Sequence, residues 1–255
     1  MKIASWNVNS LKVRLPHLLD WLAEAQPDAL CLQELKLEDH NFPHAEIEAA
    51  GYHVAFSGQK TYNGVALLAR QPIEDVLIGN PHFPDEQKRL ISGSVGGVRI
   101  IGAYMPNGQE VGCDKYDYKL RWLDALAVWL GEEMAKYPKL ALCGDYNIAP
   151  DYRDVHDPKA WAGGILVSEP ERAAFQRIVG LGLIDSFRLF EQPEKTFSWW
   201  DYRMLGFQKN QGLRIDHILV SKPLAEKCTA AGIDRAPRKL ERPSDHAPVW
   251  AELSC

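Results

Sequence analysis

Short apolar runs that end on a polar residue recur along the chain. "KIASWNVN" reads as a strand with Asn7 and Asn9 at its exit, and "PDALCLQELK" as a strand that delivers Glu34. "NGVALLAR", "GVRIIGAYMPNG" and "LALCGDYNIAP" are rich in strand formers or closed by turn residues, and "RIDHILVS" and "APVWAEL" read as late strands. Helical spacing occurs at Leu15, Leu18, Leu19 and Leu22 in "LPHLLDWLAEAQ". "KYDYKLRWLDALAVWLGEEMAKY" has the period of a long amphipathic helix, and "EPERAAFQRIVGLGL" opens another with Pro170 in its first turn.

Several strands follow one another with no helix between them, which a purely alternating parallel sheet does not allow. Antiparallel or mixed pairing is expected, in an α/β sandwich of two packed mixed sheets with helices outside. No linker, low-complexity tract or tandem repeat divides the sequence, so residues 1–255 are expected to form one domain.

Composition narrows the setting more than the function. Hydrophobic residues at 46% and charged residues at 25% are ordinary globular values. No apolar run reaches the roughly 20 residues that span a bilayer, and "MKIASWNVNS" does not read as a signal peptide. A cytoplasmic monomer without membrane contact is the expectation. The 5 cysteines are far apart, with no spacing for zinc or a disulfide framework, and Cys31 and Cys143 sit in apolar runs as small hydrophobes. A net charge of −5 argues against a generic polyanion coat but leaves room for a segregated basic patch or a metal site.

The chemistry sits where the strands stop. Asp145 and Asn147 lie two apart in "GDYNIAP", so an extended backbone would project them together, with Gly144 allowing close backbone approach. Glu34 ends an apolar run, and a buried glutamate wants a partner or a metal. Asp216 inside "LRIDHILV" also needs a partner. His217 follows it on a strand and should point to the opposite face, which favours His246 of "PSDHAP". Any one of these motifs could be a turn satisfying its own backbone. Asn7, Glu34, Asp145, Asn147, Asp216, Asp245 and His246 together suit hard oxygen ligation of Mg²⁺ or Mn²⁺, with a histidine backed by a carboxylate to face a phosphate. That set has a natural reaction, metal-assisted attack of water on a phosphodiester.

"SWNVNSL", "LQELK", "AYMPNG", "GDYNIAP", "GLRIDHILVS" and "PSDHAPVW" resemble, in order and over essentially the whole chain, the motif series of the exonuclease III family of abasic-site endonucleases. The resemblance implies a four-layer sandwich and a DNA repair hydrolase acting on double-stranded DNA at abasic sites or 3′ ends. It also implies roles. Asn7, Glu34 and Asp245 would hold the metal, with Asp145 and Asn147 beside it. Asp145 would be the general base, Asn147 would position water, Tyr104 would touch the phosphate, and His246, oriented by Asp216, would bind it. Trp199 and Leu213 would wall a pocket for a baseless sugar. Apart from the resemblance, Lys115, Lys119 and Arg121, and separately Arg238 and Lys239, read as phosphate contacts or as solvated faces. One departure stands out: abasic-cutting members carry a small residue at about Leu166, where a bulky side chain would obstruct the sugar and spare 3′-end processing. The rival readings are a small-phosphoester hydrolase of the same superfamily and a binding protein that has lost catalysis.

Overall fold

Strand alternation decides the layers. The computed structural model describes residues 1–254, in the order β1 (Lys2–Asn7), α1 (Leu11–Ala25), β2 (Ala29–Gln33), α2 (His44–Ala49), β3 (His53–Ser57), β4 (Val65–Ala69), β5 (Glu74–Ile78), β6 (Leu90–Val95), β7 (Val98–Tyr104), α3 (Asp114–Lys136), β8 (Leu140–Asp145), α4 (Pro158–Trp161), α5 (Glu169–Gly180), β9 (Leu183–Asp185), β10 (Trp199–Trp200), β11 (Gly212–Leu213), β12 (Asp216–Ser221), α6 (Lys222–Ala225), β13 (Cys228–Ile233) and β14 (Val249–Leu253). One six-stranded sheet has the order β13-β14-β1-β2-β4-β3 and the other β5-β6-β7-β8-β12-β9. β1 with β2 and β7 with β8 are parallel and the other pairs antiparallel, so both sheets are mixed, as expected.

Successive side chains in a strand face opposite ways. In β1, Ile3 points between the sheets, while Ala4 and Trp6 point outward to α1. In β8, Ala141 and Cys143 join the inter-sheet core, while Leu140 and Leu142 pack against α3 and α5. The result is helix, sheet, sheet, helix, with each fully buried aliphatic side chain contributing roughly 1.5–3 kcal/mol. The same period places the last residue of β1, β7 and β8 and the first of β12 on the inner faces. Asn7, Tyr104, Asp145 and Asp216 therefore meet at one end of the sandwich. Cross-strand register aligns them, with Tyr104 and Asp216 both opposite Asp145. Gly144 lies at φ 153, and a Cβ there would meet the Ala103 carbonyl oxygen at 1.9 Å, so only glycine lets Asp145 sit this close to β7.

The strands not expected from the sequence are β3, β5, β6, β9, β10, β11 and β13. β5 and β13 are sheet edges with mostly exposed or half-buried residues, so neither carries a long apolar run. No helix among the described residues is long and apolar enough to cross a membrane.

Candidate active site

At the open end of the sandwich, Asn7 is the hub. Its Nδ2 donates to Glu34 Oε1 at 2.9 Å and to Asp145 Oδ2 at 3.0 Å, and its Oδ1 accepts from the Asn9 backbone N–H at 3.0 Å. Glu34, at φ 54, turns out of β2 directly beside it. Ligand atoms of Glu34, Asp145 and His246 lie within 4.8 Å of one another. A half-buried and a buried carboxylate with imidazole at hand are a donor set that suits a hard divalent cation.

His246 stands between two acids. Its Nδ1 lies 2.9 and 3.1 Å from the Asp216 oxygens, and its Nε2 lies 3.7 Å from Asp145 Oδ2. The backbone fixes this order: Ile215 and Asp216 N–H groups both donate to Ser198 Oγ at 3.0 Å. Ser244 Oγ donates to the Asn7 carbonyl at 2.6 Å and accepts from His246 N–H at 3.2 Å. Burial opposes charge on His246, but Asp216, Asp145 and Asp245 outweigh it and push its pKa up to about 10. Burial drives Asp145 the other way, up to about 7, with Asp216 adding to the rise and His246, Asn147 and Asn7 opposing it. The Tyr104 phenol is raised well above its ordinary range, by burial first and then by the charges of Glu34 and Asp145. The neighbourhood thus holds an imidazolium, and a carboxyl able to exchange a proton near neutral pH.

The expected pairing of Asp216 with His246 rather than His217 is the one the structure shows. His217 lies on the outer face of β12, against Tyr146 and Phe175, with Nε2 donating to the Ile148 carbonyl at 2.9 Å. Burial, with the Arg214 charge, holds its pKa down at about 4. The unfolded chain, with histidine near about 6.5, therefore binds more protons between these values, so stability falls as pH drops from about 6.5 through about 4. The loss approaches about 3 kcal/mol. Thermal melts of wild type and His217→Gln between pH 7 and 4 check this. The variant should show a shallower decline, and parallel curves would remove His217 from the acid response.

Other expected residues are placed differently. Asn147, at φ 49, has its side chain fully engaged: Nδ2 donates to the Met105 carbonyl at 2.9 Å and Oδ1 accepts from Asn107 at 3.1 Å. Asp245 stands outside the Glu34–Asp145–His246 group. One of its oxygens accepts from Asn9 Nδ2 at 2.8 Å and the other from Trp199 Nε1 at 2.9 Å, so it anchors the rim. Lys119 is not a phosphate contact, because its side chain has no exposed surface and is paired with Glu171. Arg238 is buried too, its guanidinium over Trp200, Tyr202 and Phe207 and donating to the Ser244 carbonyl at 2.5 Å. Lys115, Arg121 and Lys239 are exposed, but Arg121 stands among Asp114, Asp117 and Asp124, which offset its charge. Trp199 is half-buried on β10, paired with Leu213 of β11. Leu213 has no exposed surface, so it backs Trp199 from beneath.

Lys36 was overlooked as an organising residue, although it closes "LQELK". Its Nζ donates to Asn9 Oδ1 at 2.5 Å and lies 2.9 Å from Glu34 Oε2. With Lys12, Lys60 and His40, and with Glu38 and Glu46, it lines a surface groove.

Residues 4–246 match the Endonuclease/Exonuclease/phosphatase family. The chain is similar to exodeoxyribonuclease III of Haemophilus influenzae, at 41% identity covering 99% of this chain and 100% of that one. Among solved structures, a 3′ phosphatase variant from Neisseria bound to a product DNA hairpin superposes with a TM-score of 0.98 at 47% identity, covering 100% of both chains. An AP endonuclease from Archaeoglobus fulgidus superposes with a TM-score of 0.97 at 39% identity, again over 100% of both.

Proposed function

The chain belongs to the endonuclease/exonuclease/phosphatase family, and from that premise we propose that it is a metal-dependent DNA repair phosphodiesterase that works at 3′ ends and abasic sites and favours 3′ ends. What carries this reading is the convergence of Asn7, Glu34, Asp145 and the Asp216–His246 pair at one open end of the sandwich.

Glu34 would hold Mg²⁺, or Mn²⁺ in its place, with Asp145 and Asn7 lining the site beside it. A bound divalent ion supplies neutralising charge for the phosphate and the leaving oxygen. The protein's own groups do the rest. Asp145 takes a proton from the attacking water, held in place by hydrogen bonds from Asn7 and from Asn147 N–H. His246, charged and oriented by Asp216, donates through Nε2 to the phosphate oxygen on which charge develops. Tyr104, kept protonated by burial and then by its acidic neighbours, offers a second donor on the neighbouring strand. Asn147 shapes the turn beneath Asp145. Lys12, Lys36 and Lys60 would follow the phosphate backbone along the groove, and Asp245 would hold Trp199 toward the reacting sugar. The enzyme would act as a single-domain monomer in the cytoplasm, where its buried thiols Cys31 and Cys143 stay free.

The preference for 3′ ends rests on Leu166. It is 4% exposed and belongs to the cluster of Val167, Leu213 and the half-buried Trp199, where it would take the space of a baseless sugar. It also sits at φ 70, a conformation that costs leucine more than glycine. Purified protein with Mg²⁺ should digest a recessed 3′ end faster than it cuts a central abasic site, and EDTA should stop both. Leu166→Gly should raise abasic cutting relative to 3′ digestion by about tenfold or more. An unchanged ratio would remove Leu166 as the gate. Failure of wild type on both duplexes, with turnover of a small phosphoester instead, would move the enzyme to the small-substrate branch.

A further inference from the structure

The most unusual group outside the reacting centre is the ion pair of Lys119 and Glu171, both without exposed surface. Lys119 has three N–H donors, and all three have acceptors. Nζ donates to the Asn147 carbonyl at 2.7 Å, to the Asn107 carbonyl at 3.2 Å and to Glu171 Oε1. Glu171 is as fully used. Oε1 also accepts from Leu166 N–H at 3.1 Å, and Oε2 accepts from Ser168 N–H at 3.1 Å and Ser168 Oγ at 2.6 Å. Tyr116 closes the outer end, its hydroxyl 2.6 Å from Ser168 Oγ. One end of the pair therefore grips the turn carrying Asn147 and Asp145, and the other grips the loop carrying Leu166. The two segments touch directly as well, Ala149 N–H donating to the Leu166 carbonyl at 2.8 Å.

Stability alone is a poor reason for such a pair. Desolvating two charges is costly, and apolar replacements of similar volume are often neutral or better. The surroundings are nevertheless built to admit the lysine stem: Gly108, at φ 89, is so close that a Cβ would meet Lys119 Cδ and Ile165 Cδ1 at 3.0 Å each. Burial pulls the Lys119 pKa down, and the charges of Glu171 and Asp145 oppose that pull.

We infer that Lys119 and Glu171 form a positioning strut for the reaction, which sets the Asn147 turn and the Leu166 loop at a fixed separation without touching DNA. The turn sets where Asp145 meets its water, and the loop sets how much room the sugar has. Both turnover and the choice between a 3′ end and an abasic site then depend on this pair. A displacement of about 1 Å at such a site can cost about 100-fold in rate. The inference rests on the phosphodiesterase reading for its kinetic consequence, but the strut has a signature independent of activity.

The test compares wild type, Lys119→Met, the charge-balanced pair Lys119→Met with Glu171→Gln, and Ser168→Ala, which removes one hydroxyl from the carboxylate's end and leaves the core filled. Amide hydrogen exchange is followed at Asn147, Ala149, Leu166 and Ser168, and kcat and KM are measured on a recessed 3′ end and on an abasic duplex. Exchange should rise in both segments together, kcat on the 3′ end should fall about tenfold or more in the double variant with KM within twofold, and the ratio of the two activities should move. Should Lys119→Met not fold, Ser168→Ala should show the same pattern on a smaller scale. A folded double variant with wild-type kcat and an unchanged ratio would overturn the inference, as would exchange that rises in one segment alone. If wild type cuts neither duplex while the segments still loosen together, the activity reading fails and the strut stands.

Discussion

Asp145→Asn is expected to remove cleavage of both the 3′ end and the abasic duplex, by about 10²–10⁴-fold, and to leave Mg²⁺-dependent DNA binding in place. The substitution is nearly isosteric. Asn147 N–H donates to Asp145 Oδ1 at 2.9 Å, and an asparagine oxygen can accept the same bond, so the turn keeps its shape. What the variant loses is the basic oxygen. Burial raises the Asp145 carboxyl to about 7, the range in which a general base is effective at neutral pH. Single-turnover cleavage and a gel-shift titration in Mg²⁺ separate the outcomes. Retained activity within about tenfold would remove Asp145 as the base. Loss of binding together with activity would make it mainly a metal or structural group.

Much of this site was legible in the sequence for one reason: it lies at strand ends, where an apolar run of period two stops on a polar residue. Asn7, Glu34, Asp145 and Asp216 each stand at such a boundary, and the period itself separated His217 from His246. The residues misread are those whose side chains run sideways through the core. Lys119 was taken for a surface cation because it is a lysine. Yet Tyr116, Lys119, Leu123, Leu126 and Leu130 form the buried stripe of α3, and that helical spacing places Lys119 inside. Its partner was also legible: Ser168 and Glu171 stand three apart across the start of α5, as N-cap and N3 of a capping box. Arg238 was mistaken in the same way, and nothing in its own segment signals that Trp200, Tyr202 and Phe207 fold over it. Asp245 is a ligand by what the resemblance implies, but its partners Asn9 and Trp199 are supplied by distant segments. Long-range pairing of this kind has no local pattern to read.

His246 and Asp216 are expected to fail together. His246→Ala should lower kcat by about 10²–10³-fold, the usual loss when a preorganised donor to a developing oxyanion is removed. Asp216→Asn should approach the same loss, because Asp216 acts only through the ring. Its two oxygens lie 2.9 and 3.1 Å from Nδ1, and among the groups that oppose burial and keep the imidazolium protonated it is the strongest. If the pair works as a unit, the double variant should be little worse than His246→Ala alone, since a carboxylate without its imidazole has nothing left to orient. Measured as a double-mutant cycle in kcat, the coupling should nearly equal the smaller single effect. Losses that multiply would mean that Asp216 reaches the phosphate or the metal by its own route. A rise in KM with kcat unchanged would make His246 a group that binds the substrate's phosphate equally before and during reaction, and the stabilising donor would then have to be Tyr104, which stands opposite Asp145 in the neighbouring strand.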